Sequence, residues 1–90
     1  MNFVWDAKKA ANNVKKHGVS FEEASTVFLD LLSITGADPD HSEDEERWVT
    51  FGVSKQGNFL VVPHTDEGET IRIISARPGT KLERKIYEKG

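Results

Sequence analysis

From Arg47 onward the chain is cut by two four-residue segments built for a tight reversal, Lys55-Gln56-Gly57-Asn58 and Asp66-Glu67-Gly68-Glu69. Glycine accepts the positive φ that hairpin turns demand, and the stretches between are rich in β-branched and aromatic residues. Arg47 to Ser54, Phe59 to Thr65 and Thr70 to Arg77 therefore read as three strands of an antiparallel meander. Pro63 has no N–H to give a ladder, so its strand either lies at an edge or carries a bulge, which would also re-aim His64.

The segments on either side read as helices with explicit start signals. Asn2 to Trp5 is a short strand, and Asp6 an N-cap for a helix with an apolar stripe of Ala7, Ala10, Ala11 and Val14. Lys8, Lys9, Asn12, Asn13, Lys15 and Lys16 fall on its other sides. His17-Gly18 ends that helix, and Ser20 with Glu23 forms a capping box for the next, whose inner face is Phe21, Ala24, Val27 and Phe28. Leu29 to Thr35 reads as the end of this helix and a short apolar strand. Thr80 and Glu83 repeat the capping box before a last helix, where Leu82 and Ile86 are spaced to pack inward. The expected architecture is one α+β domain over residues 1–90: two N-terminal helices, a meander of three to four strands and a C-terminal helix.

Ninety residues give room for one core. The absence of cysteine excludes disulfides, thiolate metal sites and cysteine nucleophiles. No apolar run reaches membrane-spanning length, and the start lacks the basic-then-apolar order of a signal peptide, so a cytoplasmic protein is expected. Net charge is −3, unevenly placed. Residues 1–17 carry four lysines against Asp6, and residues 71–90 six basic residues against Glu83 and Glu88. The middle, 18–70, holds Arg47 and Lys55 against twelve acids. Should the basic ends meet, they form a local positive field suited to phosphates.

Arginine on a β-branched strand is the chemical oddity here. Arg72 and Arg77 flank Ile73 to Ala76, and a guanidinium is a planar, permanent cation that fits a phosphodiester. Arg77 stands next to the start of the last helix, a favourable place for anions, or else pairs Glu83 or Glu88 at the surface. Arg72 points to the opposite face unless a bulge intervenes. Arg84 and Tyr87 lie one turn apart, either facing that cleft or serving as a solvated charge and a core cap. Lys16-His17 offers a cation and a group titrating near neutrality, or a helix end stabilised by its histidine. His64 is a reserve acid or a hydrogen-bonded core histidine. Glu23 and Glu83 are accounted for as capping residues. Arg47 pairs locally with Glu45 or Glu46.

The segment Gly36 to Glu46 is acidic and turn-forming, with six acids between Asp38 and Glu46, and reads as a solvated loop. Its Asp38, Asp40, Ser42 and Asp44 imitate the opening of a calcium loop, but Glu43 stands where glycine is needed and Val49 where a bidentate glutamate belongs. The histidines 17, 41 and 64 share no ligand spacing, so no metal is expected.

One ordered set of residues ties these observations together: Trp5-Asp6, Asn13, Lys16 to Ala24, Val27-Phe28, Glu46-Arg47, Ile71 to Arg77, Glu83-Arg84 and Tyr87. It resembles the BrnT family of type II toxins over nearly the whole chain. The resemblance implies a RelE-like fold and an endoribonuclease that works without metal or cofactor. It implies a BrnA-like ribbon-helix-helix antitoxin as partner, and operator DNA reached only through that antitoxin. The expected catalytic set is Arg77, Arg84, Tyr87, His17 and Lys16, with Arg72, Lys8, Lys9, Lys15 and Lys81 holding RNA and His64 and Arg47 in reserve. The chain departs from the family pattern at Pro78-Gly79 and in its acidic balance. Two further readings thus stay open: a non-catalytic module kept for complex formation and repression, and a scaffold whose acidic loop engages a basic partner.

Overall fold

In the computed structural model, which describes residues 1–38 and 46–90, both predicted turns close hairpins, with Gly57 at φ 89° and Gly68 at φ 80°. The acidic segment read as a solvated loop, its calcium-like pattern and His41 fall largely at 39–45, outside the described residues. Along the chain run β1 (Asn2–Val4), α1 (Ala7–His17), α2 (Phe21–Thr26), a 3-10 turn (Val27–Leu29), β2 (Ile34–Ala37), β3 (Trp48–Val53), β4 (Phe59–Glu67), β5 (Thr70–Ile73), β6 (Arg77–Pro78) and α3 (Lys81–Lys89).

β2 to β5 are the expected antiparallel meander, but the sheet is mixed. Its order is β1-β5-β4-β3-β2, with β1 lying parallel to β5 through Phe3 opposite Ile71. The expected single strand from Thr70 to Arg77 is two. Ile73 pairs with His64 and Arg77 with Val61, so residues 74–76 oppose only Val62 and Pro63. Pro63 sits on the central strand and causes the break: its one carbonyl accepts from both Ile74 and Ser75, at 3.0 and 3.4 Å, in the manner of a bulge.

The bulge also shifts side-chain parity. Ile71, Ile73 and Ala76 all enter the core, which puts Arg72 and Arg77 together on the opposite face. That core lies on one face of the sheet, where Phe21, Ala24 and Val27 meet Leu60, Val62 and Ile73. Gly52 of β3 lies close against this layer, since a Cβ there would crowd Val27, Asp30 and Ser33. α3 lies on the other face.

The helix faces differ from expectation in two places. In α1 the buried residue is not Val14, which is half exposed, but Asn13. Its Nδ2 donates to the carbonyls of Val19 and Ala76 at 2.9 and 2.8 Å, and its Oδ1 accepts from Ala76 N and Ser75 Oγ, both at 3.2 Å. Asn13 thus supplies the partners that the bulge at 74–76 took from Ala76, and binds α1 to the sheet. In α3, Leu82 and Ile86 do not pack inward: they are 70% and 50% exposed, and the half-buried residues are Glu83 and Tyr87. No helix is long and apolar enough to cross a membrane among the described residues.

Candidate active site

A cleft of about 500 Å³ opens where the end of α1, the β3–β4 turn and the start of α3 meet. Each wall follows from a local sequence signal. Gly18, at φ 71°, takes the left-handed cap that stops α1, and its N–H bonds Val14 O at 2.8 Å, which leaves His17 at the rim. Ser20 Oγ then accepts from Glu23 N at 3.0 Å and starts α2.

Glu23 itself does not close a capping box. Its Oε2 accepts from Ser54 Oγ and Asn58 Nδ2, each at 2.7 Å, so the carboxylate is pinned across to the β3–β4 turn and lines the cleft. Sequence reasoning missed this residue because Ser-x-x-Glu already explained it. No local pattern links Glu23 to Ser54 and Asn58, which stand 31 and 35 residues away in the chain.

Phe59 forms the floor, with Tyr87 at 5.3 Å between ring centroids and the Arg84 guanidinium 5.7 Å above its ring. Gly79 crosses the same ring closely: a Cβ there would collide with Phe59, while its N–H bonds Phe59 O at 3.0 Å. Glycine at 79 is therefore a packing requirement of Phe59 in this chain. Thr80 and Glu83 make the predicted capping box, and α3 then carries Lys81 and Arg84 into the cleft.

Of the residues singled out from sequence, His17, Lys81 and Arg84 meet at this cleft. Arg77 stands beside it but turns to Glu83, donating from Nη1 and Nη2 at 2.9 and 2.7 Å. Hydrogen bonding from Arg77 holds the Glu83 carboxyl down at about 2, against the opposing effect of partial burial, with Thr80 N adding to it. The anion drawn to the start of α3 is thus the chain's own Glu83.

Tyr87 also turns elsewhere. It donates to Asp30 Oδ2 at 2.6 Å, and that bond chiefly raises the tyrosine's pKa, keeping the hydroxyl protonated. Burial acts to raise Asp30, but the bonds from Tyr87, Val53 N and Leu32 N outweigh it and lower its pKa. Tyr87 is in this arrangement a latch between α3 and the turn before β2.

Arg72 is half buried opposite Thr65, five residues along β4 from Leu60, which is about 16 Å at strand rise. The bulge gives it the same face as Arg77, but not the same place. Lys8, Lys9, Lys15 and Lys16 are exposed along α1, and none of them lines the cleft. Arg47 is half buried before β3, where its carbonyl accepts from Asp38 N at 2.9 Å.

His64 is a core residue, 2% exposed, edge-on to Phe28 at 4.9 Å. Its Nδ1 faces Thr65 O at 3.4 Å, a carbonyl that can only accept, so Nε2 takes the hydroxyl proton of Thr50 at 2.8 Å. Thr50 in turn meets Thr35 at 2.7 Å. Burial lowers the pKa of His64 and keeps it neutral, as the hydrogen-bonded reading requires. Among the described residues no three His, Asp or Glu are grouped closely enough to hold a metal ion.

Comparison with known proteins bears on what the cleft is for. The family model of the ribonuclease toxin BrnT of type II toxin-antitoxin systems matches residues 5–83. No curated protein matches the chain in sequence. Among solved structures, the crystal structure of the Brucella abortus ribonuclease toxin BrnT aligns with a TM-score of 0.65 at 20% identity, over 90% of this chain and 99% of that one, which is a likeness of fold. With a family match running from Trp5, just after β1, to Glu83 at the start of α3, this chain belongs to the BrnT family of ribonuclease toxins of type II toxin-antitoxin systems.

Proposed function

We propose that this chain is a metal-independent endoribonuclease toxin, with the cleft between α1, the β3–β4 turn and α3 as its active site. The observation that carries this is the meeting of His17 and Glu23 with Lys81 and Arg84, from two distant parts of the chain, around one opening. RNA cleavage of this kind needs a base, an acid and cations, and those four residues supply each.

In the proposed reaction Glu23 takes the proton of the ribose 2′-hydroxyl, and the 2′-oxygen attacks the adjacent phosphorus. Arg84 and Lys81 offset the charge on the phosphorane. His17 gives its proton to the departing 5′-oxygen as the P–O5′ bond breaks, leaving a 2′,3′-cyclic phosphate and a 5′-hydroxyl. Ser54 and Asn58 hold Glu23 in place, and Phe59 supports Arg84 from below. Lys8, Lys9 and Lys15 extend the basic path along α1, and Arg77 fixes the start of α3 through Glu83.

The same reading includes a RelE-like relationship of fold, action inside the cell that makes the protein, and neutralisation by a BrnA-like ribbon-helix-helix antitoxin that supplies all contact with operator DNA. The non-catalytic alternative is favoured by one observation, the neutralisation of Arg77 by Glu83, which removes a cation from the phosphate side.

The deciding measurement is cleavage of end-labelled single-stranded RNA in EDTA by the purified, antitoxin-free protein, beside Arg84→Ala and Glu23→Gln made identically. The expected loss is about 100-fold for each variant, the scale for removing one charge-stabilising or proton-transferring group. Cleavage by the parent ending in cyclic phosphate supports the assignment. Equal cleavage by all three places the site elsewhere, and no cleavage by the folded parent leaves the non-catalytic module.

A further inference from the structure

A second groove, about 260 Å³, lies on the α3 face of the sheet between Ile34 and Gly36 of β2, Val49 and Phe51 of β3, and Ile86 of α3. Pockets for drug-sized ligands start at about 300 Å³, so this groove suits side chains of a partner better than a free small molecule. It borders β2, the last strand in the sheet order, which pairs with β3. A Cβ added at Gly36 would meet nothing within 4 Å, so the approach there is open.

Two exposed apolar segments adjoin it. Leu29, Leu31 and Leu32, before β2, are 74%, 99% and 71% exposed, and Leu82 and Ile86 belong to the outward stripe of α3. Tyr87 and Asp30, bonded at 2.6 Å, fasten these two segments to each other. Single exposed apolar residues are ordinary on a protein surface, but a grouped set around an apolar groove marks a docking face. The exposed charge next to Leu82 and Ile86 is basic: Lys85 and Lys89 lie one turn apart in a row beside them, while the nearby carboxylates are already engaged, Asp30 by Tyr87 and Glu88 by Arg84.

Resting on the toxin reading above, we infer that this groove and the outer face of α3 seat an acidic amphipathic segment of the neutralising partner protein. Its apolar side chains enter between Phe51 and Ile86, and its carboxylates meet Lys85 and Lys89. A nucleic-acid backbone could satisfy the lysines but has nothing to fill an apolar groove. The seat differs from the catalytic cleft, yet both use α3, so a partner bound here holds the helix that carries Arg84.

The test is a titration of isotope-labelled protein, followed residue by residue by NMR. The probes are a synthetic amphipathic peptide with leucines on one face and glutamates on the other, the same peptide with lysines for glutamates, and a short single-stranded RNA. Saturable shifts confined to Ile34–Ala37, Phe51 and Lys85–Lys89 are expected with the glutamate peptide alone, weakened at least tenfold by Ile86→Asp and by the exposed pair Lys85→Glu with Lys89→Glu. Groove shifts caused instead by RNA, concentration-dependent shifts without any peptide, or no groove shifts at millimolar peptide each overturn the inference. RNA cleavage by the same variants is expected to stay at the parent level. Groove binding without parent cleavage counts against the ribonuclease reading only, and cleavage without groove binding counts against this inference only.

Discussion

The two faces of the sheet are held in different ways. On the first, Phe21, Ala24 and Val27 are fully buried against Leu60, Val62 and Ile73, and the stabilisation comes from area removed from water. On the second, α3 has no buried residue and is fixed by a few directional contacts: Tyr87 on Phe59 and Asp30, and Arg77 on Glu83. Burial is insensitive to pH and spreads over many atoms, whereas α3 depends on single, titratable bonds. The candidate active site lies across this boundary, with His17 and Glu23 on the firm side and Lys81 and Arg84 on the lightly held one.

The largest effect that would test this contrast is Phe21→Ala. Removing a fully buried aromatic from the first face is expected to cost about 3–5 kcal/mol in urea unfolding, a large part of the stability of a domain this size. Leu82→Ala on α3, at an exposed site, is expected to stay within about 0.5 kcal/mol. Similar losses at the two positions would mean that α3 is packed as firmly as α2, and the contrast would go.

Next comes Asn13→Ala. It deprives the Val19 carbonyl and both backbone groups of Ala76 of their partner, and orphaned buried groups cost about 1–3 kcal/mol each, less where water can enter. A loss of about 3 kcal/mol in the same unfolding experiment is expected. A loss under about 1 kcal/mol would show that the bulge at 74–76 finds its partners elsewhere.

Asn13 also marks the limit of what the sequence disclosed. The glycine turns and the three N-cap residues placed the hairpins and helix starts, because these signals act over three or four residues. The parallel β1–β5 pair and the bulge join residues some 60 or more positions apart, at Phe3 and Ile71 or Asn13 and Ala76, and no local pattern encodes them. The apolar stripe of α1 sets Asn13 off the core side, because asparagine in a helix usually points outward. Leu82 and Ile86 failed in the opposite sense: an apolar pair at i and i+4 predicts a buried stripe, and here it faces out. At the site, Lys81, His17 and Arg84 were legible as charge near basic chain ends. Glu23 was not, since one glutamate fits equally a capping box and a held carboxylate, and only the position of Asn58 decides.

A smaller effect is expected from Tyr87→Phe, which keeps the ring on Phe59 and removes only the bond to Asp30. Hydrogen bonds to a charged group contribute about 1.5–3 kcal/mol, and the lower end applies because Val53 N and Leu32 N still hold the carboxylate. In hydrogen exchange, amides of α3 should lose more protection than those of α2. Equal loss in both helices would show that α3 opens only with the whole molecule.

The smallest predicted effect isolates the ion pair of α3 by its pH dependence. The folded-state pKa of Glu83, about 2, lies below the ordinary 4.5, so the pair's stabilisation is fully present above pH 4.5 and is lost as pH falls toward 2. Glu83→Gln keeps the capping-box geometry, because glutamine serves there too, and deletes only the charge. The difference between parent and variant should be about 1 kcal/mol at neutral pH, held to that size by solvent around the partly exposed Arg77, and should shrink toward zero near pH 2. Asp30, also lowered, titrates in the same acid range with the same sign, but it is present in both proteins and cancels in the difference. A difference that does not change with pH would mean that Glu83 acts on α3 through its cap alone, and that Arg77 is available to a bound phosphate.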